Sequence, residues 1–179
     1  TLWFHASLWA LLYIKIKMPV KKHHPSIKDS TLHMKAKKNI ALIAHDHRKM
    51  DLLDWAEFNS EFLKNHNLFG TGTTGSLVAQ KLNIPGYTFK SGPLGGDLQI
   101  GTAIVDNEID MMIFLWDPLQ AQPHDVDVKA LQRIAIVYNI PLACNRSSAD
   151  FLITSPLMNS NYERFIVDYS QRFKKNLDD

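Results

Sequence analysis

The chain has 179 residues, 45% hydrophobic and 21% charged, with one cysteine and a formal net charge of +2. These values describe a single globular domain large enough to bury a core, and they exclude a disordered or fibrous chain. Residues 1–38 hold eight lysines against one acid, which leaves the rest of the chain at −5 and without a basic face for nucleic acid. The lone Cys144 excludes an internal disulfide and a cysteine-rich zinc site, and it points to a reducing cytoplasm.

Residues 1–36 read as a leader or extension, disordered or not native, ahead of a domain spanning 37–179. The apolar run 1–14 is shorter than the roughly 18 residues of a membrane span. Its lysines, Lys15 and Lys17, follow the run, and no small-residue cleavage site is present, so it is a poor signal peptide. The expectation is an upstream extension with the native start at Met18 or Met34 and no membrane partner; a weak membrane-associating segment is the rival. Residues 21–38, rich in lysine and histidine, read as a solvated tail.

From Asn39 the hydrophobic pattern alternates with turn chemistry. The unbroken apolar run 39–44 suits a strand covered on both faces. After 45–49, Leu52, Leu53, Trp55, Ala56, Phe62 and Leu63 recur at helical spacing. A short run at 68–70 leads into 71–75 and a helix through Leu77, Val78 and Leu82. A strand at 87–90 precedes the turn 91–97 (Ser-Gly-Pro-Leu-Gly-Gly-Asp), and a helix follows to about Ile104. Residues 111–115 form the most apolar strand, expected at the sheet centre, and run into a polar loop at 117–125. A helix carrying Val128, Leu131 and Ala135 follows, then a fifth strand at 141–144 and a helix opened by Asn145. A short strand and a last helix are expected within 165–177. This beat predicts an α/β domain: one three-layer unit with a five-stranded, mostly parallel sheet and helices on both faces. In such a sheet every β-to-α turn emerges at one end, where ligands bind.

Four such turns carry chemistry-bearing side chains. The turn 91–97 is too rich in glycine and proline for a regular element; it offers exposed N–H groups with Asp97 beside them. The bland reading is a helix entry in which Asp97 is a cap. Thr71, Thr73 and Thr74 with Gly72 complement a phosphate at a helix start, although a threonine cap explains the same residues; no Walker lysine follows. Lys49 can add a cation, or be solvated. His45 and His124 lie in turns, where a neutral imidazole can polarise a carbonyl or where it can be merely superficial. Of the acids Asp46, Asp97, Asp117, Asp125 and Asp127, several must be caps, and Asp127 is the best candidate. An anion cradle, a carboxylate and an imidazole are the parts needed to enolise a small phosphorylated ketone, after which a neighbouring phosphate can leave. A hard-ligand metal site on His45, His47, His124 and nearby aspartates is the rival, without a matching ligand spacing.

Together, 44–49, 71–75, 91–97 and 116–125 closely resemble the methylglyoxal synthase family, from about Lys37 to the C-terminus. The resemblance implies a flavodoxin-like, methylglyoxal synthase-like α/β domain that assembles as a homohexamer. It implies a cofactor-free carbon–oxygen lyase converting dihydroxyacetone phosphate to methylglyoxal and inorganic phosphate, with phosphate as product and inhibitor, and no metal. By position it makes Asp97 the catalytic base and His124 a catalytic partner. His45, Lys49, Thr71, Gly72, Thr73, Thr74, Ser91, Gly92 and His124 then line the substrate site, with Asp46, Asp117 and Asp127 as supporting acids. Two other functions stay open: a non-catalytic phosphate or effector-binding module, as found in carbamoyl phosphate synthetase, and a phosphosugar isomerase that retains the phosphate.

Overall fold

A computed structural model of the chain describes residues 30–120 and 125–169. The apolar run 1–14 and His124 lie outside the described residues, as does everything from 170 onward. Among the described residues no helix is long and apolar enough to cross a membrane.

The elements in chain order are β1 (Ser30–Met34), β2 (Asn39–Ala44), α1 (Lys49–Phe58), α2 (Ser60–Leu63), β3 (Asn67–Thr71), α3 (Gly72–Leu82), β4 (Gly86–Phe89), α4 (Gly96–Val105), β5 (Met111–Leu115), α5 (Asp125–Val137), β6 (Leu142–Ala143), α6 (Arg146–Ile153) and β7 (Tyr162–Ile166). Five strands form a wholly parallel sheet in the order β4-β3-β2-β5-β6. The layers are those expected from sequence. Counted within the sheet, the strand order is 3-2-1-4-5, so the strand order reverses between β2 and β5, whereas the flavodoxin order is 2-1-3-4-5.

Strand alternation divides the core into two layers. Ile40, Leu42, Ile113 and Leu115 face Leu52, Trp55, Val78 and Ile153 of α1, α3 and α6. Ala41, Ile43, Met112 and Phe114 face Ile100, Ile104, Val128 and Leu131 of α4 and α5. β2 and β5 are buried on both faces, which is why their sequences run apolar without alternation. The helix expected to continue from Leu52 through Leu63 breaks at Asn59. That buried residue turns its side-chain amide back to the Trp55 carbonyl at 3.0 Å.

Two boundaries differ from the sequence reading. Ser30–Met34, assigned to the leader, is a strand paired antiparallel with β7, and Met34 is buried. Lys38, read as the end of a solvated tail, is also buried: its ammonium donates to the main-chain carbonyls of Lys35 and Ser160. Each depends on a partner far along the chain, β7 for the strand and the Ser160 carbonyl for Lys38, so nothing local marks them. β7 begins at Tyr162, ahead of the expected position, and the expected last helix falls largely outside the described residues.

Candidate active site

At the carboxyl ends of the strands, where the connections after the paired strands β2 and β5 leave for opposite faces of the sheet, a cavity of about 80 Å³ opens. His45, Asp46, Lys49, Thr71, Gly72, Thr73, Thr74, Ser91, Gly92 and Asp97 all line it, together with Ile43, Ala44, Pro93 and Phe114.

Two turns cross to build its floor. Thr71 ends β3 with an extended backbone, and α3 begins at Gly72. Thr71 stands at the N-cap position but does not cap through its side chain, so the capping explanation of this turn does not hold. The Gly72 N–H goes to the Lys90 carbonyl at 3.2 Å, which leaves the next N–H groups of the first turn for an occupant of the cavity. Gly72 has φ +46°, and a Cβ there would lie 2.9 Å from both Cα and Cβ of Ser91. No other residue fits without moving one turn off the other. Buried Thr71 and Thr74 point to a formed cradle and not a loose turn.

The second turn folds on itself. After β4, the Ser91 carbonyl accepts from the N–H of Leu94 at 3.0 Å and of Gly96 at 2.9 Å, around a 3₁₀ turn at Gly92–Leu94. Pro93 at its start supplies the pre-set φ. A Cβ on Gly96 would stand 1.9 Å from the Lys90 carbonyl oxygen, so the return is open only to glycine. Gly95 occupies the N-cap of α4, and Asp97 sits inside the first turn, 3% exposed. Asp97 is therefore not the helix cap that the bland reading made it; it is a carboxylate buried at a helix N-terminus on a cavity wall.

Lys49 reaches the same cavity from α1. Its ammonium lies 2.6 Å from the Asp46 carboxylate and donates to Thr73 Oγ1 at 3.0 Å. The lysine bond and charge hold the Asp46 carboxyl below its ordinary value. His45 is buried, its ring edge-on to Phe114 at 5.2 Å, and its Nδ1 accepts the main-chain N–H of Asp117 at 3.3 Å.

The other acids part company here. Asp46 lines the cavity. Asp117 reaches the site through its main chain, while its Oδ1 accepts from the Leu119 N–H at 3.1 Å. Asp127 lines a separate groove between α4 and α5 that shares Asp97 with the first cavity. It is not the helix cap either, because α5 starts two residues earlier at Asp125 and takes both acids into its first turn. His124 lies outside the described residues. Among those described, no group of three or more His, Cys, Asp or Glu stands close enough to hold a metal ion. The sequence reading missed the Asp117 N–H and the Phe114 wall. Phe114 was recoverable, since it is the last residue on its face of β5 before the rim; a main-chain donor has no residue-type signal at all.

Comparison with known proteins places this site in context. A family model described as "MGS-like domain" matches residues 51–144. The methylglyoxal synthase of Clostridium acetobutylicum is 57% identical over 142 residues, covering 79% of this chain and 98% of that protein. That of Leptospira interrogans is 54% identical over 138 residues, covering 77% and 93%. A crystal structure of methylglyoxal synthase from Elizabethkingia anophelis superposes with a TM-score of 0.76 at 46% identity, over 81% of this chain and 95% of that one.

Proposed function

The chain belongs to the MGS-like family, and from that premise we propose that it is a methylglyoxal synthase, a carbon–oxygen lyase acting on dihydroxyacetone phosphate. The observation that carries this reading is the convergence of Asp97, His45, Lys49 and the threonine turn on one small cavity.

The chemistry follows from where the charges sit. The phosphate dianion is received by Thr71, Thr73, Thr74, Ser91 and Gly92, with the dipole of α3 and the Lys49 ammonium opposite its charge. Asp97 then takes a proton from the hydroxymethyl carbon, and the electron pair moves toward the carbonyl oxygen to form an enediolate. His45, and His124 from its loop, donate hydrogen bonds to that oxygen, where negative charge develops. Collapse of the enediolate breaks the bond between the neighbouring carbon and the phosphate oxygen, releasing phosphate and the enol of methylglyoxal. Each step is a proton transfer or an elimination that these side chains can serve. Asp46 and Asp127 act as supporting acids around the site.

The same reading makes inorganic phosphate both product and inhibitor, since it retains the part of the substrate that the threonine turn binds. It takes the working form to be a homohexamer in the cytoplasm, which light scattering on the purified protein tests. The deciding experiment mixes the chain with dihydroxyacetone phosphate and follows dicarbonyl and free phosphate together. Equal, simultaneous release of both is expected. Glyceraldehyde phosphate with the phosphate retained marks an isomerase, and phosphate affinity without turnover marks a binding module; either result overturns the proposal.

A further inference from the structure

We propose that Asp117 is a positioning residue that acts through its main chain, holding His45 as the neutral imidazole that donates from Nε2. This rests on the lyase reading above and gives one of its residues a different task from that of a supporting acid.

The argument starts at the ring. His45 Nδ1 accepts the N–H of Asp117 at 3.3 Å. A nitrogen that accepts a hydrogen bond carries no proton, so the one proton of the ring sits on Nε2. Protonating Nδ1 would set two donors against each other, so this contact favours the neutral donor over the imidazolium. The ring is buried against its neighbours. Its own backbone N–H donates to the Leu115 carbonyl at 3.3 Å, and its edge meets Phe114 at an interplanar angle of 75°.

The donor is held in turn. Asp117 Oδ1 accepts the Leu119 N–H at 3.1 Å, closing a side-chain turn across Pro118 that constrains the backbone at Asp117, the residue whose N–H reaches the ring. The carboxylate of Asp117 is thus engaged in its own loop, and the group that reaches the ring is its amide. Among the described residues, the charged groups near His45 include Asp46 beside it in the chain, Lys49 and Asp97 on the cavity wall, and Asp117. In that setting a neutral Nε2–H can polarise a carbonyl without first competing with Lys49 as a second cation.

The test has a spectroscopic and a kinetic part. In protein labelled with 15N-histidine, two-bond nitrogen–proton correlations identify the tautomer of each ring, and the His45 signals are those lost in His45→Gln. The Nε2–H pattern at neutral pH is expected; the Nδ1–H pattern or an imidazolium overturns the proposal. Because this needs no turnover, its outcome is independent of whether the lyase reading survives. In the kinetic part, Asp117→Asn keeps an Oδ1 for the Leu119 N–H and should hold kcat within about twofold, whereas Asp117→Ala should lower kcat roughly tenfold with little change in KM. The alanine variant should also show a mixture of His45 tautomers, restored to one in the asparagine variant. If Asp117→Asn falls as far as Asp117→Ala, the charge is what matters and the proposal is wrong. Should Asp117→Ala fail to fold, the wild-type spectrum and the asparagine variant still decide.

Discussion

Two groups of buried polar side chains occupy opposite ends of the same parallel sheet, and burial means something different at each. At the carboxyl ends of the strands, His45, Thr71, Thr74 and Asp97 are buried against a cavity. At the amino ends, buried Lys38 before β2, His66 before β3 and Arg164 from β7, with half-buried Asp110 before β5, are gathered with main-chain and side-chain partners of their own. There Lys38 caps two carbonyls, the Lys38 N–H goes to His66 Nδ1 at 3.1 Å, Asp110 accepts the Asn39 N–H at 2.8 Å, and Arg164 donates to Asn107 at 3.1 Å. Burial pushes the Asp110 carboxyl up and the Lys38 and Arg164 groups down, and in each the opposite charge nearby works against the shift. The lower cluster ties the β1–β7 ribbon to the sheet. The upper one is held rigid by turns so that its donors and its acid can meet something else. Perturbed ionisable groups therefore do not by themselves single out the candidate active site in this chain; it is proposed from the cavity and the residues that line it.

Substitutions at the two ends should separate activity from stability. The largest effect is expected at Asp97→Asn. This change removes the proposed base while keeping the shape of the site, so turnover should fall by about 10²–10⁴-fold or more. Phosphate affinity by calorimetry and the melting temperature should stay near wild type. Near-normal activity would mean that another group takes the proton. Lys38→Met should do the reverse. Losing the two capped carbonyls should cost on the order of 2 kcal/mol, a fall of roughly 4–8 °C in melting temperature for a chain of this size, with kcat unchanged below the transition. A loss of kcat without loss of stability would join the two ends functionally.

The smallest effect is a pH dependence at the lower end. Burial first, then the Lys38 and Lys37 charges, hold the His66 imidazole below its ordinary 6.5. The unfolded chain therefore takes up that proton before the folded one does. The stability His66 contributes is complete above 6.5 and is lost as the pH falls through the window beneath it. Asp110, with its raised value, acts in the opposite sense as the pH rises, so the readout is a difference. Melting temperatures of wild type and His66→Gln measured between about pH 7.5 and 5 should diverge on the acid side, with the wild type falling more steeply. Parallel curves would show that His66 does not carry the slope.

Much of this molecule could be read along the chain. The alternation of apolar runs with glycine- and threonine-rich turns is a local pattern, and local steric rules turn it into strands, helices and tight connections. A parallel sheet must put all its β-to-α turns at one end, so the sequence alone assigns the four motif turns to one rim. Asp97, Thr71, Gly72, Ser91 and Lys49 follow from that rule, and the described part of the rim agrees with it.

What the tertiary structure alone decided is where residues far apart in sequence meet without a periodic signal. Strand order placed the reversal between β2 and β5. The pairing of Ser30–Met34 with Tyr162–Ile166 turned an apparent tail into an ordered strand, and the Ser160 carbonyl took the ammonium of the buried Lys38. The main-chain N–H of Asp117 reached His45 because β2 and β5 lie side by side. Composition and spacing encode which residues a segment prefers to bury; they carry no record of which distant backbone will stand opposite, and that contact is settled only when the layers pack.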